Sequence, residues 1–218
     1  MISSLLQSST SAPFAGAGEL AAIGSAFAWS FGTVFYALAF RSISPVQAAW
    51  FKNVIAGLLL GLLSIAFFSG AVPVENVGWL TFSGFLGLGV GDWLYFLAIA
   101  HIGVSRTVII SQAVPAFTAL LAWPLFGENL SVMQISGIAL VIGGGVLAES
   151  RRFTPKISRD HFDKIGLIAA ITCAGLWTIS NLALSRGMVD VAPVTGGAIR
   201  FSAGSLFFAA WFIKDGNL

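Results

Sequence analysis

Three charged side chains, Lys52, Asp92 and Arg200, lie deep inside long apolar stretches of the sequence. A charge inside a bilayer is costly, so such a group is usually paired or functional. Lys52 lies about six residues into its stretch, and Asp92 about eight residues before the end of the next one. At 1.5 Å per helical residue, both side chains would lie roughly 9–12 Å below the same membrane surface. The spacing therefore predicts that an ion pair between Lys52 and Asp92 can form.

Three interpretations of this pair are open. The pair could bind a small ligand or couple to a proton, and Tyr95, one helical turn from Asp92, could share that site. It could instead only hold two helices together. Lys52 could also extend its side chain to the membrane interface without Asp92.

A second group of candidate residues lies on one face of the first apolar stretch, at spacings of four, four and three. These residues are Ser25, Trp29, Thr33 and Tyr36. A later stretch carries a matching face, formed by Cys173, Trp177 and Asn181. Two such faces would suit the lining of a polar cavity. The alternative is that the aromatic rings pack in the core or anchor the chain at the interface.

Gln112 and Pro115 lie in the middle of a further apolar stretch. A proline there bends the helix and frees a backbone carbonyl. Gln112 is therefore a candidate cavity residue, and Pro115 a candidate bend.

The remaining motif residues are predicted to be structural, because they fall at the ends of apolar stretches. Pro45 and Pro193 lie near helix starts, Gly127 ends a helix, Asn129 or Ser131 caps the next helix, and Glu128 lies in the turn between them.

Enzymatic chemistry finds little support in the sequence. Gly89-Val90-Gly91-Asp92 matches the Gly-x-Gly-Asp pattern of intramembrane aspartyl proteases, but that reaction needs two carboxylates that share a proton. Apart from Asp92, no Asp or Glu lies deep within an apolar stretch, and His101 and His161 are expected to be isolated. We therefore predict no enzyme activity, no cofactor, no metal and no nucleic-acid partner.

The elements that position these residues are long apolar segments. Hydrophobic residues make up 57% of the 218 positions and charged residues 9%, whereas soluble domains carry about 25% charged residues. A spanning helix needs about 20 apolar residues. The sequence therefore predicts an all-α polytopic membrane helix bundle of about seven transmembrane helices, in contact with a lipid bilayer. The predicted spans are Gly18–Phe40, Val46–Phe68, Val77–Ala100, Ser105–Phe126, Ser131–Ala148, Ile165–Ser185 and Ala192–Ile213.

The chain also matches itself at an offset of 148 residues. Trp29 falls on Trp177, Pro45 on Pro193, and Lys52 on Arg200. A five-helix repeat places its second copy upside down, which gives the inverted repeat of secondary transporters. The predicted organisation is a flexible tail at 1–17, a first five-helix repeat at 18–149, a basic linker at 150–164, and the first two helices of a second repeat at 165–218. Three further helices or a second copy of the chain are the expected partners.

Several motifs together resemble the EamA-type repeat of the drug/metabolite transporter superfamily. They are Tyr95-Phe96-Leu97-Ala98, the stretch from Ser111 to Leu121, Phe126-Gly127-Glu128, Gly137 and Gly143, with Trp29, Pro45 and Lys52 upstream. The resemblance implies ten helices in two inverted halves, a central cavity, and non-ATP movement of small metabolites or drugs, with efflux the expected direction, across a bacterial or archaeal cell (inner) membrane. The alternative is a non-transporting structural or partner-binding membrane protein, or an inactive fragment of a transporter.

The distribution of charge bears on orientation. Eight basic residues fall on one side of the predicted bundle, five of them between Arg151 and Lys164, and only Arg186 falls on the other. The positive-inside rule then places the N-terminus outside, whereas the family resemblance implies an N-terminus inside. Both orientations are open.

Overall fold

The computed structural model describes residues 17–68, 70–127, 131–150 and 163–215, and these ranges contain helices and no strand. The prediction of an all-α chain is confirmed. The helices are α1 (Ala17–Ala39), α2 (Pro45–Phe67), α3 (Val74–Ile102), α4 (Val104–Ser111 and Ala113–Phe126), α5 (Val132–Ser150), α6 (Lys164–Gly187) and α7 (Pro193–Asp215).

Five of these helices are long and apolar enough to cross a membrane: α1, α2, α3, α4 and α6. Helix α5 contains a further apolar stretch at Val132–Gly145. Helix α7 has 23 residues, among them Arg200 and three glycines. Large apolar side chains such as Leu62 and Leu140 point outward, as expected where lipid is the solvent. The chain is therefore a polytopic membrane helix bundle.

The helix ends follow local sequence signals. Ser44 caps α2 in a capping box, and Pro45 is the first helical residue. Gly127 ends α4 in the left-handed conformation, with a φ of 68°, which glycine adopts at little cost. Ser131 accepts a hydrogen bond from the backbone N–H of Gln134 at 3.2 Å, so it caps α5. These observations agree with the structural roles expected for Pro45, Gly127 and Ser131.

Two helices are irregular in the middle. In α3, Gly84–Gly91 forms a π-helical segment between α-helical Val74–Ser83 and Asp92–Ile102. Helix α4 is interrupted at Gln112, three residues before Pro115. Because Pro115 has no N–H to donate to the carbonyl four residues earlier, the interruption agrees with the predicted bend.

Helix α1 belongs to a compact unit of its own that ends at Ser42. Within the other unit, α2 packs against α7. The hydroxyls of Ser64 and Thr195 are 2.7 Å apart, whereas Asn53, earlier in α2, lies against Gly204, later in α7. The two helices are therefore antiparallel. Adding 148 to the bounds of α2 gives the bounds of α7, so these helices occupy matching positions of the sequence repeat.

Helix α3 is central to this unit. It runs antiparallel to α6, since its start contacts the end of α6 and its end contacts the start of α6. Both α2 and α7 also pack against α3, and α7 contacts its π segment. The helix that carries Asp92 is therefore in contact with α2, α4, α6 and α7.

Candidate functional site

The expected ion pair between Lys52 and Asp92 is present. Lys52 Nζ contacts Asp92 Oδ2 and joins α2 to α3. The Asp92 side chain is only 2% exposed, and that of Lys52 is 13% exposed. The ammonium group also lies 5.9 Å from the ring centre of Phe96 and 5.7 Å from that of Phe201. Lys52 is therefore held by one carboxylate and two aromatic rings, and it does not extend alone toward the interface.

The π segment immediately precedes Asp92 in the chain, and side chains from two neighbouring helices bind its backbone. Asn53 Nδ2 on α2 donates to the Leu88 carbonyl at 2.7 Å, and Trp177 Nε1 on α6 donates to the Gly87 carbonyl at 3.1 Å. π-Helical turns are rare and occur frequently at functional sites. Because both carbonyls lie about one turn before Asp92, these bonds help to fix the position of its carboxylate.

Arg200 on α7 also approaches this region. Its Nη2 lies 3.5 Å from Ser180 Oγ on α6, and Asp92 attracts it electrostatically. Ser180 exchanges hydrogen bonds with Ser83 on α3, at 2.8 and 2.9 Å. The Nε of Arg200 is buried and has no hydrogen-bond partner among the described residues.

Glycines in the π segment allow this close approach. A Cβ added at Gly84 would lie 2.7 Å from Arg200 Cα, and one at Gly87 would lie 2.9 Å from Ser180 Cβ. Cβ atoms do not normally come this close to other heavy atoms. Helices α6 and α7 can therefore meet α3 here only because these positions have no side chain.

Aromatic rings form one side of the site. Tyr95 is fully buried, and its ring centre lies 4.9 Å from that of Trp177 at an interplanar angle of 35°. The structure thus brings together five of the residues singled out in the sequence. These residues, called the buried cluster below, are Lys52, Asp92, Tyr95, Trp177 and Arg200.

Four other candidates are not among the five residues of the buried cluster. Gln112 and Pro115 line a separate cavity of about 330 Å³ between α4 and α5. Asn181 is half-buried on α6, four residues after Trp177. Pro193 is the first residue of α7. Three further candidates lie outside the described residues: Glu128, Asn129 and His161.

Trp29, Thr33 and Tyr36 lie on α1, where the Thr33 hydroxyl donates to the Trp29 carbonyl at 2.8 Å. Because α1 belongs to a different compact unit from Trp177, the shared cavity with the matching face on α6 stays a prediction. Cys173, on that matching face, is a buried free thiol.

The prediction that His101 is isolated is wrong. Its Nδ1 lies 2.6 Å from Asp163 Oδ2, and the contact joins the end of α3 to the start of α6. Asp163 Oδ1 also accepts from the backbone N–H groups of Ile165 and Gly166. The bond with His101 and the bond from Gly166 lower the pKa of the Asp163 carboxyl below its ordinary value. Within the described ranges, no three His, Cys, Asp or Glu side chains come together as metal ligands.

Asn53, Ser180 and the π segment were not predicted. The alternating glycines Gly87, Gly89 and Gly91 were a usable signal, because glycine tolerates irregular backbone and close packing. Asn53 is a buried amide in an apolar span, and such a group needs a partner. Neither signal says which neighbouring helix supplies that partner.

The chain resembles known transporters in sequence. Residues 16–149 match the EamA-like transporter family. An uncharacterized transporter of Archaeoglobus fulgidus is 23% identical over 177 residues, which are 81% of this chain and 61% of that protein. The chain thus spans less than two thirds of the length of that relative. No solved structure shows significant similarity to the chain.

Proposed function

The chain belongs to the EamA-like transporter family, and on that premise we propose that it acts as a secondary transporter of small metabolites or drugs. Transport would use alternating access without ATP, and its direction would be efflux across the cell (inner) membrane. The family match supports the transporter class. The buried cluster supports the position of the substrate and coupling site.

The observation that carries this proposal is the ion pair of Lys52 and Asp92 beside a π-helical segment. Burying two charges costs several kcal/mol per ion, and their attraction often does no more than offset that cost, so a buried pair is weak evidence for a purely stabilising role. Ionisable groups within membrane spans commonly mark ion and substrate pathways. The pair also lies where α2, α3, α6 and α7 pack together.

Each member of the buried cluster then has a proposed role. Asp92 is the coupling carboxylate, which exchanges Lys52 for a proton or a cationic substrate group during the cycle. Tyr95 and Trp177 form the aromatic wall that contacts the apolar part of the substrate. Gln112, beside its separate cavity, and Asn181 are further candidates for substrate contact, as are Trp29, Thr33 and Tyr36 on α1.

The inverted repeat provides the proposed route for alternating access. Helices α2 and α7 occupy matching repeat positions and run antiparallel, which supports an inverted relation between the two repeats. In transporters of this kind, one repeat rocks against the other around a fixed site. The buried cluster draws residues from both predicted repeats.

A second candidate is a non-transporting membrane protein, or an inactive fragment of a transporter. The observation that favours it is that Lys52 and Asp92 lie on two helices that pack together, so the pair can act without any substrate. In that case Lys52 and Asp92 would only fasten α2 to α3. Under the transport hypothesis, three additional helices or a second copy of the chain are the proposed partners.

The test is a transport assay in proteoliposomes, with a panel of amino acids, organic acids and amphiphilic drugs. Asp92→Asn is compared with Glu75→Gln, an exposed acid at the start of the same helix that receives the same acid-to-amide change. We expect Glu75→Gln to transport normally and Asp92→Asn to lose transport or its pH dependence. Transport by Asp92→Asn that equals wild type at every pH would sink the coupling role.

A ten-helix version, in which the second repeat is completed, separates the two candidates. Transport by the ten-helix version alone would assign the seven-helix chain to the class of inactive fragments. Transport by neither version would favour the structural protein.

A further inference from the structure

We propose that Arg200 anchors a carboxylate group of the transported molecule, an inference that rests on the proposed function. Among the described residues, the buried cluster contains two cations, Lys52 and Arg200, and one carboxylate, Asp92. Lys52 already contacts that carboxylate. One further carboxylate, supplied by the substrate, would make the occupied site neutral.

The guanidinium of Arg200 has unused hydrogen-bonding capacity. Its Nε is buried without a hydrogen-bond partner among the described residues, and the contact of Nη2 with Ser180 is long at 3.5 Å. Within the described ranges, Arg200 forms no ion pair with a carboxylate. A buried charged donor without a partner is costly, and each such group in a folded protein calls for an explanation. A bound anion is the explanation that satisfies both its charge and its N–H group.

Lys52 is not equivalent to Arg200 in this respect, although the two residues align at the repeat offset. The Lys52 ammonium is held by Asp92 and faces two aromatic rings. Arg200 offers a planar fork of donors that matches a carboxylate in bidentate geometry, which an ammonium group cannot do. The cation that can receive a ligand is therefore Arg200.

The surroundings of Arg200 fix its position. Gly84 lies directly against the Arg200 backbone, and a Cβ added at Gly87 would lie 3.8 Å from Nη2. The guanidinium is thus placed between the π segment and Ser180. A substrate carboxylate on Arg200 would lie close to Asp92, so the site should prefer anions with a single negative charge over dianions.

The experiment measures ligand-induced stabilisation of the purified full chain in dodecyl maltoside, a detergent without phosphate or carboxylate groups. The probes are acetate, lactate and benzoate, each compared with its neutral amide, which has no carboxylate group. We expect at least one carboxylate to raise the melting temperature of the wild type in a saturable manner, and its amide to have no effect. The absence of any difference between acids and amides would overturn the proposal.

Two variants locate the effect. Arg200→Gln should weaken carboxylate binding at least tenfold, and Arg200→Lys, which keeps the charge but loses the fork, should weaken it by a smaller factor. Arg186→Gln removes the same charge from an exposed position on α6 and should bind as the wild type does. Equal affinity in Arg200→Gln and wild type would refute the assignment. If Arg200→Gln does not fold, Arg200→Lys becomes the deciding variant. Carboxylate affinity equal to that of the wild type in Arg200→Lys would then refute the bidentate contact.

Failure of this inference can be told apart from failure of the proposed function. Carboxylate binding without transport would count against the transporter hypothesis and leave the Arg200 site intact. Transport restricted to neutral or cationic compounds, without carboxylate binding, would refute the Arg200 site and leave the transporter hypothesis intact.

Discussion

Replacing Lys52 by methionine tests whether the buried ion pair behaves as the structure indicates. Methionine keeps much of the length of the lysine side chain but removes its charge. Asp92 is then left in a position where only 2% of its side chain is exposed, so water cannot replace the lost partner. Breaking a buried pair in this way costs about 3–5 kcal/mol. We therefore expect Lys52→Met to lower the free energy of unfolding by about that amount.

The reverse change should cost less. Asp92→Asn leaves Lys52 with 13% of its side chain exposed and with two aromatic rings close to its ammonium group. Cation–π contacts of this kind contribute about 0.5–2 kcal/mol. The loss expected for Asp92→Asn is therefore about 1–3 kcal/mol. The double variant should be more stable than the sum of the two single losses predicts, because neither charge is then left alone.

The measurement is equilibrium unfolding in mixed micelles, followed by the helical circular dichroism signal. Lys164→Met, at an exposed position at the start of α6, provides the matched control and should change stability by less than about 0.5 kcal/mol. If Lys52→Met and Lys164→Met lower the free energy of unfolding by the same small amount, the pair is not a buried electrostatic contact. Strict additivity in the double variant would contradict the coupling between the two charges.

Three further predictions address other parts of the chain. Gly91→Ala should destabilise by about 1–3 kcal/mol, because its Cβ would lie 2.7 Å from the indole ring of the facing tryptophan, whereas Gly175→Ala, with nothing within 4 Å, should be neutral or stabilising in the same unfolding assay. Folding lowers the pKa of Asp163, so the stability that its carboxylate adds to the folded state is fully present above the ordinary pKa of 3.8 and is lost as the pH falls through the lower folded pKa. In melting curves recorded over a series of acidic pH values, Asp163→Asn should not show this loss of stability. An impermeant maleimide should label Ser8→Cys in a Cys173→Ala background on intact cells if the charge bias sets the orientation, and labelling only after lysis would favour an N-terminus inside.

Much of the architecture could be predicted because apolar length and end signals are local properties of the sequence. The spans, the cap at Ser131 and the end of α4 at Gly127 each depend on a few neighbouring residues. The contact between Lys52 and Asp92 was also accessible, since depth in a spanning helix follows from residue count alone. That argument fixes depth but not rotation about the helix axis.

The features that were not predicted depend on rotation and on packing between distant helices. The π segment contains no polar side chain that could reveal a change in periodicity. Asn53 and Ser180 find their partners on another helix, which no local pattern identifies. Gln112 was grouped with the other polar candidates by its type, but the structure places it beside a different cavity. His101 meets Asp163 only because α3 and α6 are antiparallel neighbours.

The π segment also affects how length changes in α3 should be interpreted. Each i→i+5 bond encloses one residue more than an α-helical bond does, so the helix contains roughly one surplus residue between Ser83 and Asp92. In a regular α-helix, loss of one residue turns everything beyond it by about 100°. Here a one-residue deletion could be absorbed by return of the segment to α-helical bonding, with Tyr95 still facing α6. An alignment gap among related chains would then be expected in the middle of a membrane span, at these glycines, and not in the connecting loops.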